Sequence, residues 1–83
     1  MIYRVYVLHS PKFDKIYIGY TSDLEQRMLS HNELGKKGWT IKFRPWKLVH
    51  AEEFEKKSEA IKREKQLKSA AGRRWIRTDL LKE

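Results

Sequence analysis

Two short runs rich in β-branched and aromatic residues lie near the start of the chain, with only a few residues between them. IYRVYVL at residues 2–8 and KIYIGY at residues 15–20 flank the turn PKFD at residues 11–14. This composition favours strands, and so short a link joins antiparallel neighbours. The sequence therefore predicts a hairpin in which Tyr17 and Gly19 share one face.

A helix is predicted directly after the hairpin. Ser22 and Glu25 have the spacing of a capping box, in which two side chains satisfy the free backbone N–H groups of a helix start. The helix should reach about His31 or Asn32. Residues 33–45, with two glycines, a proline and several basic residues, predict a basic loop.

The second half of the chain predicts a third strand and two more helices. WKLVHAEE at residues 46–53 has strand composition, and Ser58 should cap a helix that ends at Gly72. RRWIRTDLL at residues 73–81 predicts a short last helix. The fold class expected is α+β: a three-stranded antiparallel sheet flanked by helices, in the order β-β-α-β-α-α. The helices must pack on the sheet, because three strands cannot cover both of their own faces.

The length and residue types favour a single small domain over residues 1–83. A chain of 83 residues without cysteine can form neither a disulfide framework nor a thiolate metal site. It has no signal-peptide pattern and no apolar run near the roughly 18 residues that a membrane span needs. We expect a cytoplasmic protein.

The charge is strongly positive. Lys and Arg number 19 against 11 Asp and Glu, a formal net charge of +8. This excess favours a polyanionic partner, with nucleic acid first and an anionic membrane surface second. Solubility alone is the alternative explanation, and charge does not separate binding from catalysis.

Two polar residues of the first helix lie beside its apolar stripe. Leu24 and Met28 define the buried direction, and Arg27 and His31, four residues apart, fall on its flank. They should therefore lie at the seam between helix and sheet. Ordinary packing of an arginine stem and a hydrogen-bonded histidine would give the same pattern.

A carboxylate lies within the apolar stripe of the second helix. Glu64 is three residues after Ile61 and three before Leu67, where a charge is costly unless it is paired or binds a metal. An i, i+4 pair with Lys68 is the structural explanation. Together with the strand tyrosines, Arg27 and His31, this glutamate suits phosphodiester hydrolysis: arginine stabilises phosphate charge, and one carboxylate can hold Mg²⁺.

These residues, in this order, resemble the GIY-YIG nuclease domain, in particular small single-domain bacterial proteins similar to the nuclease module of the excinuclease of DNA repair. The YIG motif is intact at Tyr17–Gly19, and RVY at Arg4–Tyr6 resembles the first motif without its glycine and isoleucine. Arg27 and His31 match the family's helix pattern, and Glu64 matches its metal-binding glutamate. The resemblance covers nearly the whole chain.

The resemblance implies a metal-dependent endonuclease that hydrolyses DNA, in repair or processing. Tyr6 and Tyr17 would order the attacking water, Arg27 would contact the scissile phosphate, and Glu64 would hold Mg²⁺ or Mn²⁺. His31 would relay a proton or hold a tyrosine hydroxyl. Which of Tyr6, Tyr17 and His31 is the general base stays open, and so does RNA as a substrate. A protein partner could supply the targeting that a recognition domain gives other nucleases.

Basic side chains outside the catalytic set are expected to bind the nucleic acid. They are Lys36, Lys37, Lys42, Arg44 and Lys68, together with Arg27. An alternative function is a nucleic-acid-binding module with little or no catalysis, in which Trp39, Phe43 and Trp46 would stack on unpaired bases. Packing over a thin core would explain the same aromatics. A protein-interaction domain is a further alternative.

Overall fold

A three-stranded antiparallel sheet lies at the centre of the fold. The computed structural model describes residues 1–34 and 39–81. β1 (Tyr3–Ser10) is central, with β2 (Lys15–Thr21) on one side and β3 (Lys47–Phe54) on the other. The predicted hairpin, third strand and order of elements are therefore confirmed, although β1 continues beyond residue 8 to Ser10. Because β2 is an edge strand, both of its faces and its outer edge can contribute to a site.

The first helix, α1 (Leu24–Leu29), has a different cap from the one expected. Asp23, rather than Ser22, is the N-cap, and its carboxylate accepts the backbone N–H of Gln26 at 3.2 Å. The Thr21 hydroxyl accepts the backbone N–H of Asp23 at 3.0 Å and helps to place that residue. The capping-box prediction was therefore wrong by one residue, because the end of β2 determines which side chain reaches the helix start.

The segment after α1 is anchored to the start of β3. α1 continues as a π-helical turn over Ser30–Leu34, and a 3₁₀ turn over Trp39–Phe43 lies within the expected basic loop. The Asn32 amide oxygen accepts the backbone N–H of Trp46 at 2.7 Å, and its NH₂ group donates to the Trp46 carbonyl at 3.1 Å. This two-way bond fixes the end of the first helical segment against the sheet.

The second and last predicted helices are present as α2 (Lys57–Lys68) and α3 (Ala70–Trp75), the latter followed by a π-helical turn over Ile76–Leu80, but the break between them lies at Ser69 and not at Gly72. The chain bends at Ser69, whose backbone is extended and whose hydroxyl accepts the backbone N–H of Gly72 at 3.2 Å. The expected ends were therefore wrong: Ser58 lies inside the first turn of α2, and Gly72 lies inside α3. Within residues 1–34 and 39–81, no helix has the length and apolar character to cross a membrane.

The helices cover the two faces of the sheet. On one face, α2, α3 and the π-helical turn after α3 enclose a core of Val5, Val7, Ile16, Ile18, Ala60, Leu67 and Ile76. On the other face, α1 and the 3₁₀ turn enclose a smaller cluster of Tyr6, Leu8, Tyr17, Leu24, Met28, Phe43 and Trp46. Successive residues of β1 and β2 therefore serve opposite clusters, as the period of a strand requires.

Gly72 permits the close contact between α2 and α3. A Cβ atom at this position would lie 2.5 Å from the Leu67 carbonyl oxygen and 2.6 Å from the Leu67 Cα atom, both of them backbone atoms. Such a contact cannot be relieved by moving a side chain. The bend between the helices therefore depends on a glycine here.

We expect Gly72→Ala to destabilise the protein. Alanine would improve helix propensity by about 1 kcal/mol, but overpacking against backbone typically costs about 1–3 kcal/mol, so the clash should dominate. Thermal unfolding should show a melting temperature lower by several degrees. Ala71→Ser, which adds one atom at the exposed neighbouring position, is the matched control and should change little. An unchanged or raised melting temperature for Gly72→Ala would contradict the close packing.

Candidate active site

The Tyr6 side chain lies directly against the backbone of Gly19. The sheet register pairs these two residues across β1 and β2. A Cβ atom at position 19 would lie 2.8 Å from the Tyr6 hydroxyl oxygen and 3.1 Å from Cε1 of Tyr17. Gly19 therefore leaves room for the Tyr6 ring, and it lets the two tyrosines lie together.

Tyr6, Tyr17 and His31 form a compact aromatic group. The Tyr6 hydroxyl and His31 Nε2 are hydrogen-bonded at 3.0 Å, and the Tyr17 and His31 ring centroids are 4.7 Å apart. The Tyr6 and Tyr17 centroids are 6.1 Å apart. Tyr6 is 1% and His31 7% exposed, whereas Tyr17 is half-buried. Of the three, Tyr17 is thus the most accessible to a ligand.

The environment keeps the buried hydrogen bond uncharged. Burial raises the pKa of Tyr6 above its ordinary value, nearby Tyr17 adds to this, and the positive charge of Arg27 opposes it only in part. Burial, followed by the charges of Arg27 and Arg44, lowers the pKa of His31. At neutral pH both groups are therefore neutral, so Tyr6 is a poor candidate for a phenolate base. When Nδ1 of His31 carries the proton, Nε2 accepts a hydrogen bond from the Tyr6 hydroxyl.

Arg44 holds the backbone at His31. Its Nε atom donates to the His31 carbonyl at 2.6 Å, and one terminal nitrogen donates to the Ser30 carbonyl at 3.2 Å. These carbonyls belong to the turn that follows α1, so Arg44 ties that turn in place. Arg44, expected to bind nucleic acid, has a structural contact here that the sequence did not indicate.

A concave pocket of about 430 Å³ opens at the edge of β2. Four of the five predicted catalytic residues line it: Tyr6, Tyr17, Arg27 and Glu64. His31 does not line the pocket and contacts it through Tyr6. A larger concavity of about 850 Å³ lies beside α1 and β3, lined in part by Leu24, Met28, Leu29 and Leu48, and is separate from the tyrosines. Size alone therefore does not identify the site.

Glu64 extends from α2 to the pocket, and its side chain is 16% exposed. Its carboxylate pairs with the ammonium group of Lys68 at 3.1 Å, the i, i+4 pair that the sequence suggested. Lys68 also lines the pocket, as does Lys57 from the first turn of α2. Lys57 and Tyr20 were not predicted. Lys57 was missed because the predicted cap at Ser58 placed the helix start two residues too late.

The donor set suits a metal that binds together with its substrate. Across the described parts of the chain, no three His, Cys, Asp or Glu side chains are close enough to cage an ion. Among the described pocket residues, Glu64 is the one carboxylate. Mg²⁺ often binds through one or two carboxylates, water and substrate phosphate. Glu64 therefore fits a magnesium site that water and substrate phosphate complete.

The structure places the basic residues of the expected loop differently from Trp46, which follows that loop. Lys42 is exposed on the 3₁₀ turn, whereas Lys36 and Lys37 lie outside the described residues. Trp46 is 4% exposed, and its indole N–H donates to the Thr40 carbonyl at 2.8 Å. Stacking of Trp46 on bases is therefore a wrong prediction, because the ring is part of the core.

Comparisons with known proteins identify the family. Residues 2–76 match the GIY-YIG catalytic domain. A UPF0213 protein of Staphylococcus saprophyticus is 41% identical over 58 residues, which are 70% of this chain and 71% of that protein. A UPF0213 protein of Natronomonas pharaonis is 40% identical over 65 residues, or 78% and 75% of the two chains.

A solved structure has the same fold. The solution NMR structure of a UPF0213 protein from Bacillus halodurans superimposes with a TM-score of 0.56 at 26% identity. The match covers 94% of this chain and 84% of that one. The resemblance inferred from the motifs is confirmed: the chain belongs to the GIY-YIG family of nuclease domains, alongside the UPF0213 proteins.

Proposed function

We propose that the protein is a metal-dependent endonuclease that hydrolyses phosphodiester bonds in DNA. The observation that carries this proposal is the pocket at the β2 edge, where Arg27, Glu64 and the two tyrosines meet in about 430 Å³. The net charge of +8 agrees with a polyanionic substrate. Family membership supports nuclease activity, and the choice of DNA over RNA is part of the proposal.

Arg27 is the phosphate-binding group in this mechanism. Its guanidinium is always charged and presents several N–H donors that match phosphate oxygens. Arg27 lines the pocket from α1 and is largely exposed. During hydrolysis, a water oxygen bonds to phosphorus, the bond to the leaving oxygen breaks, and negative charge grows on the phosphoryl oxygens. Arg27 stabilises that charge.

Tyr17 orients the attacking water, and Tyr6 and His31 hold Tyr17. Tyr17 is the more exposed phenol and lines the pocket, so its oxygen can accept a hydrogen bond from water. Tyr6 is buried, bonded to His31, and has a raised pKa, which suits a positioning role. The sequence left the general base open among Tyr6, Tyr17 and His31. With this division of roles, Tyr17 is the proposed contact to the attacking water.

Glu64 would hold Mg²⁺ or Mn²⁺ in the presence of substrate. The ion would supply charge stabilisation at the phosphate and the leaving oxygen. In the structure Glu64 pairs with Lys68. Metal binding would therefore require Glu64 either to leave Lys68 or to contact both Lys68 and the ion. A role in repair or processing, with a separate protein that brings the enzyme to its substrate, belongs to the same proposal.

A second candidate function is nucleic-acid binding without cleavage. The Glu64–Lys68 pair favours it, because a carboxylate satisfied by an ammonium group has less need of a metal. Incubation of the protein with labelled DNA and Mg²⁺ or Mn²⁺ separates the two functions. Cleavage that EDTA abolishes supports the first, and binding without cleavage supports the second.

We expect Glu64→Gln to lose metal-dependent cleavage by about 100-fold or more, the scale of removing one charge contact to a reacting group. DNA affinity in EDTA should stay near that of the parent, since phosphate binding rests on the basic side chains. An i, i+4 pair contributes only about 0.2–0.5 kcal/mol, so the melting temperature should change little.

Glu59→Gln is the matched control for this substitution. It makes the same charge change in the first turn of the same helix, at an exposed residue that does not line the pocket. It should cleave like the parent. If Glu64→Gln also cleaves like the parent, Glu64 does not hold the metal; if Glu64→Gln unfolds, its role is structural.

Gly19→Ala should reduce cleavage by displacing Tyr6 from its place beside Tyr17. A misplacement of about 1 Å can cost on the order of 100-fold in rate. The stability cost should be smaller in a Tyr6→Phe background, because the atom nearest the new Cβ is the Tyr6 hydroxyl oxygen. A double-mutant cycle on unfolding free energies measures this coupling. Costs that add within about 0.3–0.5 kcal/mol would contradict the contact.

The stability of the protein should depend on pH through His31. Its pKa is lowered in the folded state from the ordinary 6.5, so the unfolded chain binds a proton first as the pH falls. The free energy of unfolding should therefore be greatest above pH 6.5 and decrease below it, by at most about 1.4 kcal/mol per pH unit. Chemical denaturation from pH 7.5 to 5 should show a shallower slope for His31→Gln. Equal slopes for the parent and His31→Gln would contradict a buried neutral His31.

A further inference from the structure

A second concavity continues from the active-site pocket along β2. It has a volume of about 490 Å³. Tyr17, Ile18 and Lys68 line both concavities, so the two adjoin along the outer edge of the sheet. We call the second part the basic groove. A polymer whose scissile group occupies the pocket can therefore extend into the basic groove without leaving the surface.

Four of the eight residues that line the basic groove are cationic. Lys15, Lys68, Arg73 and Arg77 line it, with Asp14 as the one carboxylate among its described lining residues. Arg77 pairs with Asp14 at 2.9 Å, and Lys68 pairs with Glu64. Among the described residues, the ion pairs include neither Lys15 nor Arg73. These two charges are available to an anionic ligand.

The bend between α2 and α3 places Arg73 at this groove. Ser69 ends α2, and the close contact at Gly72 folds α3 back toward the end of α2. The Arg73 Nε atom then donates to the Lys68 carbonyl at 3.1 Å. Because that carbonyl is neutral, the bond fixes the guanidinium without neutralising it. A single uninterrupted helix would carry Arg73 away from Lys68.

An exposed aromatic ring lies in the β1–β2 turn, next in sequence to Asp14, which lines the groove. Phe13 in the β1–β2 turn is 40% exposed and makes an edge contact with Phe43 at a centroid distance of 5.5 Å. The ammonium group of Lys15 lies 5.5 Å from the Phe43 centroid, and that of Lys12 lies 5.5 Å from the Phe13 centroid. An accessible ring among lysines is the arrangement that binds unpaired bases in single-stranded nucleic acid.

We propose that the basic groove binds the backbone of an unpaired DNA strand that flanks the scissile phosphate, with Phe13 stacked on one of its bases. The inference rests on the proposed function and specifies its substrate class as DNA with a single-stranded segment. From Gly19 to Lys15, β2 spans about 13 Å, which is room for about four nucleotides at a stacked spacing of ~3.4 Å. Duplex DNA would hide its base faces from Phe13.

Binding without metal tests the groove separately from catalysis. Fluorescence anisotropy in EDTA would measure the affinity of the full chain for a labelled single strand of about 12 nucleotides at several salt concentrations. Lys15→Gln and Arg73→Gln should each weaken binding and reduce the magnitude of the salt slope by about 0.7. Lys62→Gln and Lys65→Gln are matched controls, exposed on α2 and lining neither concavity. Equal losses in the controls would show that only net charge matters and would overturn the groove.

A test of stacking by Phe13 needs a variant that keeps the contact with Phe43. Phe13→Leu retains an apolar side chain against Phe43 but removes the aromatic face. It should weaken single-strand binding by about fivefold or more, the lower end of measured base stacking, and should leave affinity for the matching duplex unchanged. An equal loss on the duplex, or no loss on the single strand, would overturn the stacking role.

Failure of the groove and failure of the nuclease proposal give different results. If the groove variants lose binding as expected but the parent cleaves nothing with Mg²⁺ or Mn²⁺, the groove stands and the proposed catalysis fails. If the parent cleaves but Lys15→Gln and Arg73→Gln bind like the controls, the catalysis stands and the groove fails. Melting temperatures of all variants would identify any loss that comes from unfolding.

Discussion

The contact between the Tyr6 side chain and the backbone of Gly19 is the constraint on which the site depends. It requires the β1–β2 register, because a shift of one residue would carry Tyr6 to the opposite face of the sheet. It also requires a residue without a Cβ atom. Once Tyr6 is buried there, His31 has a neutral hydrogen-bond partner, and Tyr17 is left at the pocket surface.

The position of β2 at the edge of the sheet explains how two separate faces serve one pocket. Tyr17 belongs to the cluster under α1, whereas Glu64 comes from α2, which packs on the opposite face. Such residues cannot meet through the middle of a sheet. They can meet around an exposed edge, and the pocket lies at that edge. The edge also carries the basic groove, so that the proposed catalytic and binding surfaces adjoin.

Charge is arranged in two ways around the pocket. Around His31, burial and then the positive charges of Arg27 and Arg44 lower its pKa, and this keeps the buried hydrogen bond neutral. At the surface, cations remain accessible to an anionic ligand, most clearly at Lys15 and Arg73. The Glu64–Lys68 pair lies between these zones and joins the pocket to the groove. A phosphate backbone would compete with Glu64 for Lys68, and this would release the carboxylate for a metal.

The sequence by itself determined the order of elements, the hairpin and four of the residues that line the pocket, because strand composition, helical periodicity and motif spacing are local properties. It did not determine the Asp23 cap, the bend at Ser69 or the burial of Trp46, since each depends on residues distant in the chain or on competition between neighbouring caps. Only the tertiary structure decided that Gly19 admits Tyr6, that Arg44 holds the turn carrying His31, and that Arg73 returns to Lys68. These are contacts between separate elements, and a linear pattern does not specify the distance between two elements until packing has fixed it.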